Sequence, residues 1–557
     1  MKTVHALFLV FTFCFTHLAT AEFRAGAVAI DVSPKQFPVL VNGGMTSRSA
    51  TGVTDPIFAK AIVLANGKIE IAIVVVDSCM MPRPMLDEAK ALATKRTGIP
   101  SDRILVSATH THTAPSTIAC LGTDADPRYT PYLKGKIAEA IAEAQKKLQP
   151  AQAGWNQANA AEFTALRRWI RRPDRIGIDP FGNPTVRANM HAGRNWDDVT
   201  GESGPEDPDL TLISIQDLKG KPLAILANFS MHYFAGVTAI SSDYFGRFAS
   251  NLIDMLDADE SFVGLMSHGC SGDIWRRDYT LRNWVVDPPK KEEQMQIDSY
   301  AKGLAERALL DYRKIKHRPN LDLAMAETRM TLKYRVPDVG LLQWAEAIVA
   351  EMGDRNPKTK TEVYAKEQIV LHERQETEIV LQALRIGDMA ITTTPNETYA
   401  LTGLKLKAKS PLPKTMVIEL ANGGDGYIPP PEQHFLGGYN TWAARSAGLE
   451  VQAEPKIVES CLRLLEKVAA KPHRVPMVSQ GSSAKAITNL KPVHWWRMDE
   501  FQGPLAIDEQ GNRDGHYEDG VVFYLEGPDS KSFTPAQVNR CAHFAGGRLR
   551  ARLPQLG

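Results

Sequence analysis

From Phe23 to about Lys471 the chain alternates short apolar runs with amphipathic stretches. Ile69-Glu70-Ile71-Ala72-Ile73-Val74-Val75-Val76-Asp77 is apolar almost throughout, which predicts a strand buried on both faces. Leu133, Ile137, Ile141, Ala144 and Leu148 recur at helical spacing ahead of Pro150 and predict an amphipathic helix. Ile457, Val458, Cys461, Leu462, Leu465 and Val468 form a second such stripe, which places Cys461 in a core. The runs Ile379 to Ile386 and Met389 to Thr394 flank the turn dipeptide Gly387-Asp388, so they predict an antiparallel hairpin. The expectation is an α/β fold whose mixed sheet is flanked by helices. There is no internal repeat.

Residues 472–492, with Pro472, Pro476 and Gln480-Gly481-Ser482-Ser483, read as a linker closing a domain that spans 22–471. Beyond it, residues 493–557 are rich in aromatics and turns, from Val493-His494-Trp495-Trp496-Arg497-Met498-Asp499-Glu500 through Gly511-Asn512 to Cys541-Ala542-His543-Phe544-Ala545-Gly546-Gly547. This segment resembles the opening strands of a concanavalin- or laminin-G-like β-sandwich. That likeness implies a partial sandwich and a glycan partner for it; the other reading is a small β cap on the main domain.

The start of the chain sets the compartment. Lys2, the apolar run Ala6 to Phe15 and the small residues Ala19-Thr20-Ala21 read as a secretory signal peptide over residues 1–21. Cys14 follows Phe11-Thr12-Phe13 and belongs to that apolar run. The expected destination is secreted or periplasmic. No later run approaches the ~18 apolar residues that span a bilayer. Of 557 residues, 43% are hydrophobic and 23% charged, the composition of a folded protein. The 65 basic and 64 acidic residues become 64 of each once Lys2 is removed, a balance that argues against nucleic acid as partner. Cys79, Cys120, Cys270, Cys461 and Cys541 are an odd, widely spaced set without a CxxC, so neither a disulfide framework nor a thiolate metal site is indicated.

Candidate chemistry lies where strands end. Ile104-Leu105-Val106-Ser107-Ala108 runs into Thr109-His110-Thr111-His112, and on a strand residues two apart share a face, so both imidazoles would point to one place. Leu223 to Phe229 leads to His232, Met389 to Thr394 leads to Glu397, and Met416 to Leu420 leads through Asn422-Gly423-Gly424-Asp425-Gly426 to Tyr427. If these strands are parallel, the four residues meet at the carboxyl rim of one sheet, where α/β proteins place their sites. Nitrogen and oxygen ligands of this kind suit zinc. Each also has a plainer reading. Glu397 would favour a following helix through its dipole, His232 would be a satisfied core histidine, and Tyr427 before Ile428-Pro429-Pro430-Pro431 would be packing.

The joint order resembles the neutral/alkaline, non-lysosomal ceramidase family of zinc amidases. The likeness covers roughly Arg24 to Leu465 and includes Ala25-Gly26-Ala27, Gly52-Val53-Thr54-Asp55-Pro56, Thr109-His110-Thr111-His112, Ile240-Ser241-Ser242-Asp243-Tyr244-Phe245-Gly246, Pro395-Asn396-Glu397-Thr398, and Gly426-Tyr427 to Gly437-Gly438-Tyr439. The resemblance implies a zinc ion held by His110, His232, Glu397 and Tyr427. It implies that His112, Arg167 and Tyr439 contact the scissile amide or headgroup, with Arg168 an equal candidate beside Arg167. The implied activity is hydrolysis of an N-acyl amide, sphingolipid-like, by metal-activated water.

Two features depart from the family. Its Gly-Asp-x-Ser-Pro segment reads here Gly272-Asp273-Ile274-Trp275, which puts tryptophan at a serine position near the reacting carbonyl. Its C-terminal immunoglobulin-like domain is replaced by the sandwich-like segment. Both point away from ceramide as the preferred substrate. Three other readings stay open. A metal-dependent amidohydrolase barrel also starts from His-x-His, but expects eight regular βα units. A serine esterase needs a Gly-x-Ser-x-Gly elbow, which Gly269-Cys270-Ser271-Gly272 is not. A secreted carbohydrate-binding protein with a degenerate, inactive core would use residues 493–557.

Overall fold

A computed structural model describes residues 22–67, 69–234, 236–281, 290–476, 481–511, 513–528 and 539–552. The signal-peptide expectation for residues 1–21, Cys14 included, lies outside them, as do Gln480 and Asn512 of the stretches named above.

Eight strands form one mixed sheet: β1 (Phe23–Asp31), β2 (Phe58–Asn66), β3 (Ile69–Val76), β4 (Ile104–Ala108), β5 (Gln149–Asn159), β6 (Asp209–Asp217), β7 (Pro222–Phe229) and β8 (Val263–His268). Their spatial order is β8-β7-β6-β5-β1-β2-β3-β4, and only β3–β4 and β7–β8 run parallel. A second sheet comprises β9 (Leu323–Lys333), β10 (Glu376–Ile386), β11 (Met389–Thr393) and β12 (Lys414–Ile418), with β10 and β11 forming the antiparallel hairpin and β11–β12 parallel. The expected mixed sheet is present, with a second, four-stranded mixed sheet beside it.

Strand β3 explains the layering. Ile71, Ile73 and Val75 join a core shared with Leu384, Ile386, Met389, Ile391, Met416 and Ile418 of the second sheet. Ala72, Val74 and Val76 face a different core, with Leu86 and Ala89 of α1 (Arg83–Thr97) and Leu133, Ile137 and Ile141 of α2 (Tyr129–Lys146). The period of two thus sorts one apolar run between a facing sheet and a layer of helices. Helices α3 (Asp243–Leu256) and α4 (Lys290–Tyr312) cover the β6–β8 end, and α5 (Ala453–Ala469) covers the outer face of the second sheet, with Cys461 fully buried as expected. The result is helix, sheet, sheet, helix.

The large sheet's two edges are tied together by four residues that follow β12. Glu419 N–H donates to His268 O on β8 at 3.0 Å, while Asn422 N–H donates to Val106 O at 2.8 Å and Ala108 N–H to Leu420 O at 3.1 Å on β4. Strand ends that are far apart in sheet order are thereby brought to one place.

Within the stretch read as a linker, Ser482–Asn489 is a helix that buries Ala484. Residues 493–552 contribute a small three-stranded sheet and the antiparallel pair Val521–Glu526 with Arg540–Phe544. Val522, Leu525 and Ala545 pack into one cluster with Ile170, Ala188 and Leu436 of the main body. All five described cysteines are free thiols, and among the described residues no helix is long and apolar enough to cross a membrane.

Candidate metal centre

Strand β4 ends at Ala108, so the histidine pair does not sit on a strand. His110 instead takes a left-handed backbone (φ 71°) with its N–H on Ser78 O at 2.9 Å. The turn, rather than strand alternation, brings the two rings edge to face with Nε2 atoms 3.1 Å apart. His232 follows β7 from the same sheet. Glu397 and Tyr427 follow β11 and β12 of the second sheet and lie in a separate two-stranded pair, in which Glu397–Thr398 runs parallel to Tyr427–Ile428. The four expected ligands therefore converge from two sheets, not one rim.

His110, His232 and Glu397 stand close enough together to hold a metal ion. His110 Nε2 lies 3.1 Å from His232 Nε2 and 3.1 Å from Glu397 Oε1; His232 Nε2 is 3.6 Å from Glu397 Oε1 and 3.5 Å from the Tyr427 hydroxyl. A tetrahedral zinc with bonds of about 2.0–2.1 Å holds its donor atoms about 3.3 Å apart. All four residues are buried, His232 completely. His110 Nδ1–H donates to Cys79 O at 2.9 Å, which leaves Nε2 bare. Glu397 Oε1 accordingly has no hydrogen-bond donor although it is buried. An orphaned carboxylate oxygen facing bare imidazole nitrogens is costly without a cation among them, so the donor set fits a metal ion. Burial opposes a charge on His110, while Glu397 and Cys79 favour one strongly enough to push its pKa well above the usual imidazole range, so a cation at Nε2, proton or metal, is what the pocket favours.

The catalytic candidates surround this cluster. His112, half-buried, stacks on Tyr233 with ring centres 3.5 Å apart and planes 12° apart. Burial, helped by His110, Arg167 and Arg48, holds its pKa well below the ordinary value. Arg167 donates to the Tyr427 hydroxyl at 3.0 Å and to Gly272 O at 2.8 Å, whereas Arg168 turns away to Gln433, Gly437 and Ala188. Of that adjacent pair only Arg167 borders the cluster. Tyr439 meets Tyr427 edge-on at 5.6 Å, and its phenol is pushed up by burial and so stays protonated. Trp275 lies 4.9 Å from the Tyr233 ring and 6.3 Å from His232. Gly272 lets these elements close: a Cβ there would sit 2.6 Å from Glu397 O.

Several contributors carry no periodic signal and were not singled out from the sequence. Tyr233 is one. Ser271, His268 and Glu419 are others, fully buried behind His232 and joined by Ser271 Oγ, which is 2.7 Å from His268 Nε2, 3.0 Å from Glu419 Oε1 and 3.4 Å from His232 Nδ1. Arg48, whose guanidinium donates to His112 O, is a third kind of support.

No protein-family model matches the chain, and no curated protein matches it either. Among solved structures, the neutral ceramidase from Pseudomonas aeruginosa superposes with a TM-score of 0.59 at 14% sequence identity, covering 82% of this chain and 76% of that one. A ceramidase complexed with C2 gives the same score and identity over 82% and 77%. The shared layers extend across most of both chains, and the chain has a ceramidase-like fold.

Proposed function

We propose that the chain is an exported, zinc-dependent amidase that hydrolyses an N-acyl amide of the lipid class, with ceramide itself a poor substrate. The observation that carries this reading is the orphaned Glu397 Oε1 facing the bare Nε2 atoms of His110 and His232 at ligand spacing. The ceramidase-like fold supports the substrate class, and the apolar run and small residues within 1–21 support export.

His110, His232, Glu397 and Tyr427 would hold the ion. When bound, zinc supplies Lewis acidity for an amide carbonyl and lowers the pKa of a water toward neutrality. The remaining roles fall to side chains. His112, kept neutral, offers Nε2 as a proton acceptor for the attacking water and, once protonated, a donor to the departing nitrogen. Tyr439 keeps its O–H and can donate to the oxygen on which charge develops. Burial pushes the Tyr427 phenol well above its usual value, and the positive charge of Arg167 against its oxygen works the other way. The reading of an inactive core carrying a glycan-binding segment draws no support from this site, since such a core has no reason to keep an orphaned carboxylate.

Replacing His232→Ala removes one of the three donors, with His110 and Glu397, that stand within metal-binding reach of one another. The expected result is loss of bound zinc and of amide hydrolysis; a variant that keeps full zinc and full turnover overturns the ligand assignment.

A further inference from the structure

We infer that Ser271, backed by Glu419 and His268, is the positioning residue that fixes His232 as a metal ligand. This rests on the metal-site reading above. His232 must present Nε2 bare to the cluster, which requires its ring proton on Nδ1 and a partner there. The atom facing Nδ1 is Ser271 Oγ at 3.4 Å. One hydroxyl can accept from Nδ1–H only if its own proton goes elsewhere, and Glu419 Oε1 at 3.0 Å takes it. The same carboxyl oxygen accepts Ser271 N–H at 3.1 Å, while Thr398 Oγ1 donates to Glu419 Oε2 at 3.2 Å. His268 Nε2 closes the group, 2.7 Å from Ser271 Oγ and 3.4 Å from Glu419 Oε1.

The arrangement is a directed chain: His232 Nδ1–H to Ser271 Oγ, then Ser271 O–H to Glu419. His110 is fixed differently, by the backbone carbonyl of Cys79. A backbone acceptor cannot be mutated away, whereas this one can. All four members are fully excluded from solvent, so no water replaces a lost link. The chain also couples the sheets. Ser271 and His268 belong to the β8 edge of the large sheet, and Glu419 to the segment after β12 whose N–H bonds His268 O. The position of His232 is thereby set by the same contact that closes the fold.

The test is zinc affinity of the purified full chain, measured by competition with a chromogenic chelator, with the melting temperature of the metal-free protein as a check on folding. Ser271→Ala is expected to weaken zinc about 10- to 100-fold, the usual effect of removing a partner behind a ligating histidine. Ser271→Thr, which keeps the hydroxyl, is expected to recover most of that loss. Glu419→Gln keeps an acceptor oxygen and is expected to stay within about threefold of the parent, whereas Glu419→Leu is expected to match Ser271→Ala. In a single chain of bonds the double variant Ser271→Ala/Glu419→Leu should be no worse than either alone. Zinc affinity in Ser271→Ala within twofold of the parent, or fully additive losses, would overturn the inference. Failure of the parent to bind zinc would overturn the metal-site reading itself, and that outcome is visible before any variant is made.

Discussion

At His110 the chain spends a left-handed, non-glycine backbone to point one imidazole nitrogen at Cys79 O and the other at Glu397. Strain of this sort persists where surrounding contacts hold it, and here the N–H bond to Ser78 O does so. His112 is two residues on and free of that duty. With its ring stacked on Tyr233 and its Nε2 3.1 Å from that of His110, at the edge of the cluster, His112→Ala should lower kcat by roughly 10²-fold or more while zinc stays bound. Loss of zinc in that variant would make His112 a ligand instead. Trp275 poses the substrate question. Its indole fills space beside Tyr233 and His232 and offers no small hydroxyl near the reacting centre. The native protein is therefore expected to hydrolyse ceramide poorly relative to simpler N-acyl amides, and Trp275→Ser to narrow that gap. A comparison of kcat/KM for both substrates in both proteins decides it; efficient native ceramide turnover refutes the proposed role of Trp275.

At the scale of elements, the site depends on a two-residue strand pair, and Gly426 sets its register. Gly426 has φ +78°, its carbonyl accepts Glu397 N–H at 3.1 Å, and a Cβ there would meet the Ser446 carbonyl at 2.1 Å. Gly426→Ala should cost roughly 2 kcal/mol or more in unfolding free energy and weaken zinc binding together, because Tyr427 and Glu397 must shift. Denaturant melts and metal titration of the variant check both, and an unchanged midpoint contradicts the account. Much of this level was legible. The hairpin around Gly387-Asp388, the buried β3 run and the α2 stripe follow from period and turn chemistry. That there are two sheets was not, because Ile71, Ile73 and Val75 are as apolar as Ala72, Val74 and Val76, and an apolar run does not say what covers each face. The candidate ligands were visible as polar residues that follow apolar strands. Ser271, His268 and Glu419 were not, since isolated buried polar residues acquire meaning only from the contacts that satisfy them.

For the whole molecule, the two sheets are more than a scaffold for one another. Residues 419–422 bond both edges of the large sheet, and the candidate ligands lie just past strands of the two sheets, His110 and His232 after β4 and β7, Glu397 and Tyr427 after β11 and β12. On the proposed reading, folding brings the candidate ligands together, so zinc should stabilise the chain as well as activate it. The most direct measurement is metal analysis of the native protein combined with a hydrolysis screen over N-acyl amides, before and after chelation. The account predicts one zinc per chain, turnover of at least one N-acyl amide, loss of that turnover on chelation and its return with added zinc. A protein that carries no zinc, or whose amide hydrolysis is indifferent to chelation, contradicts it.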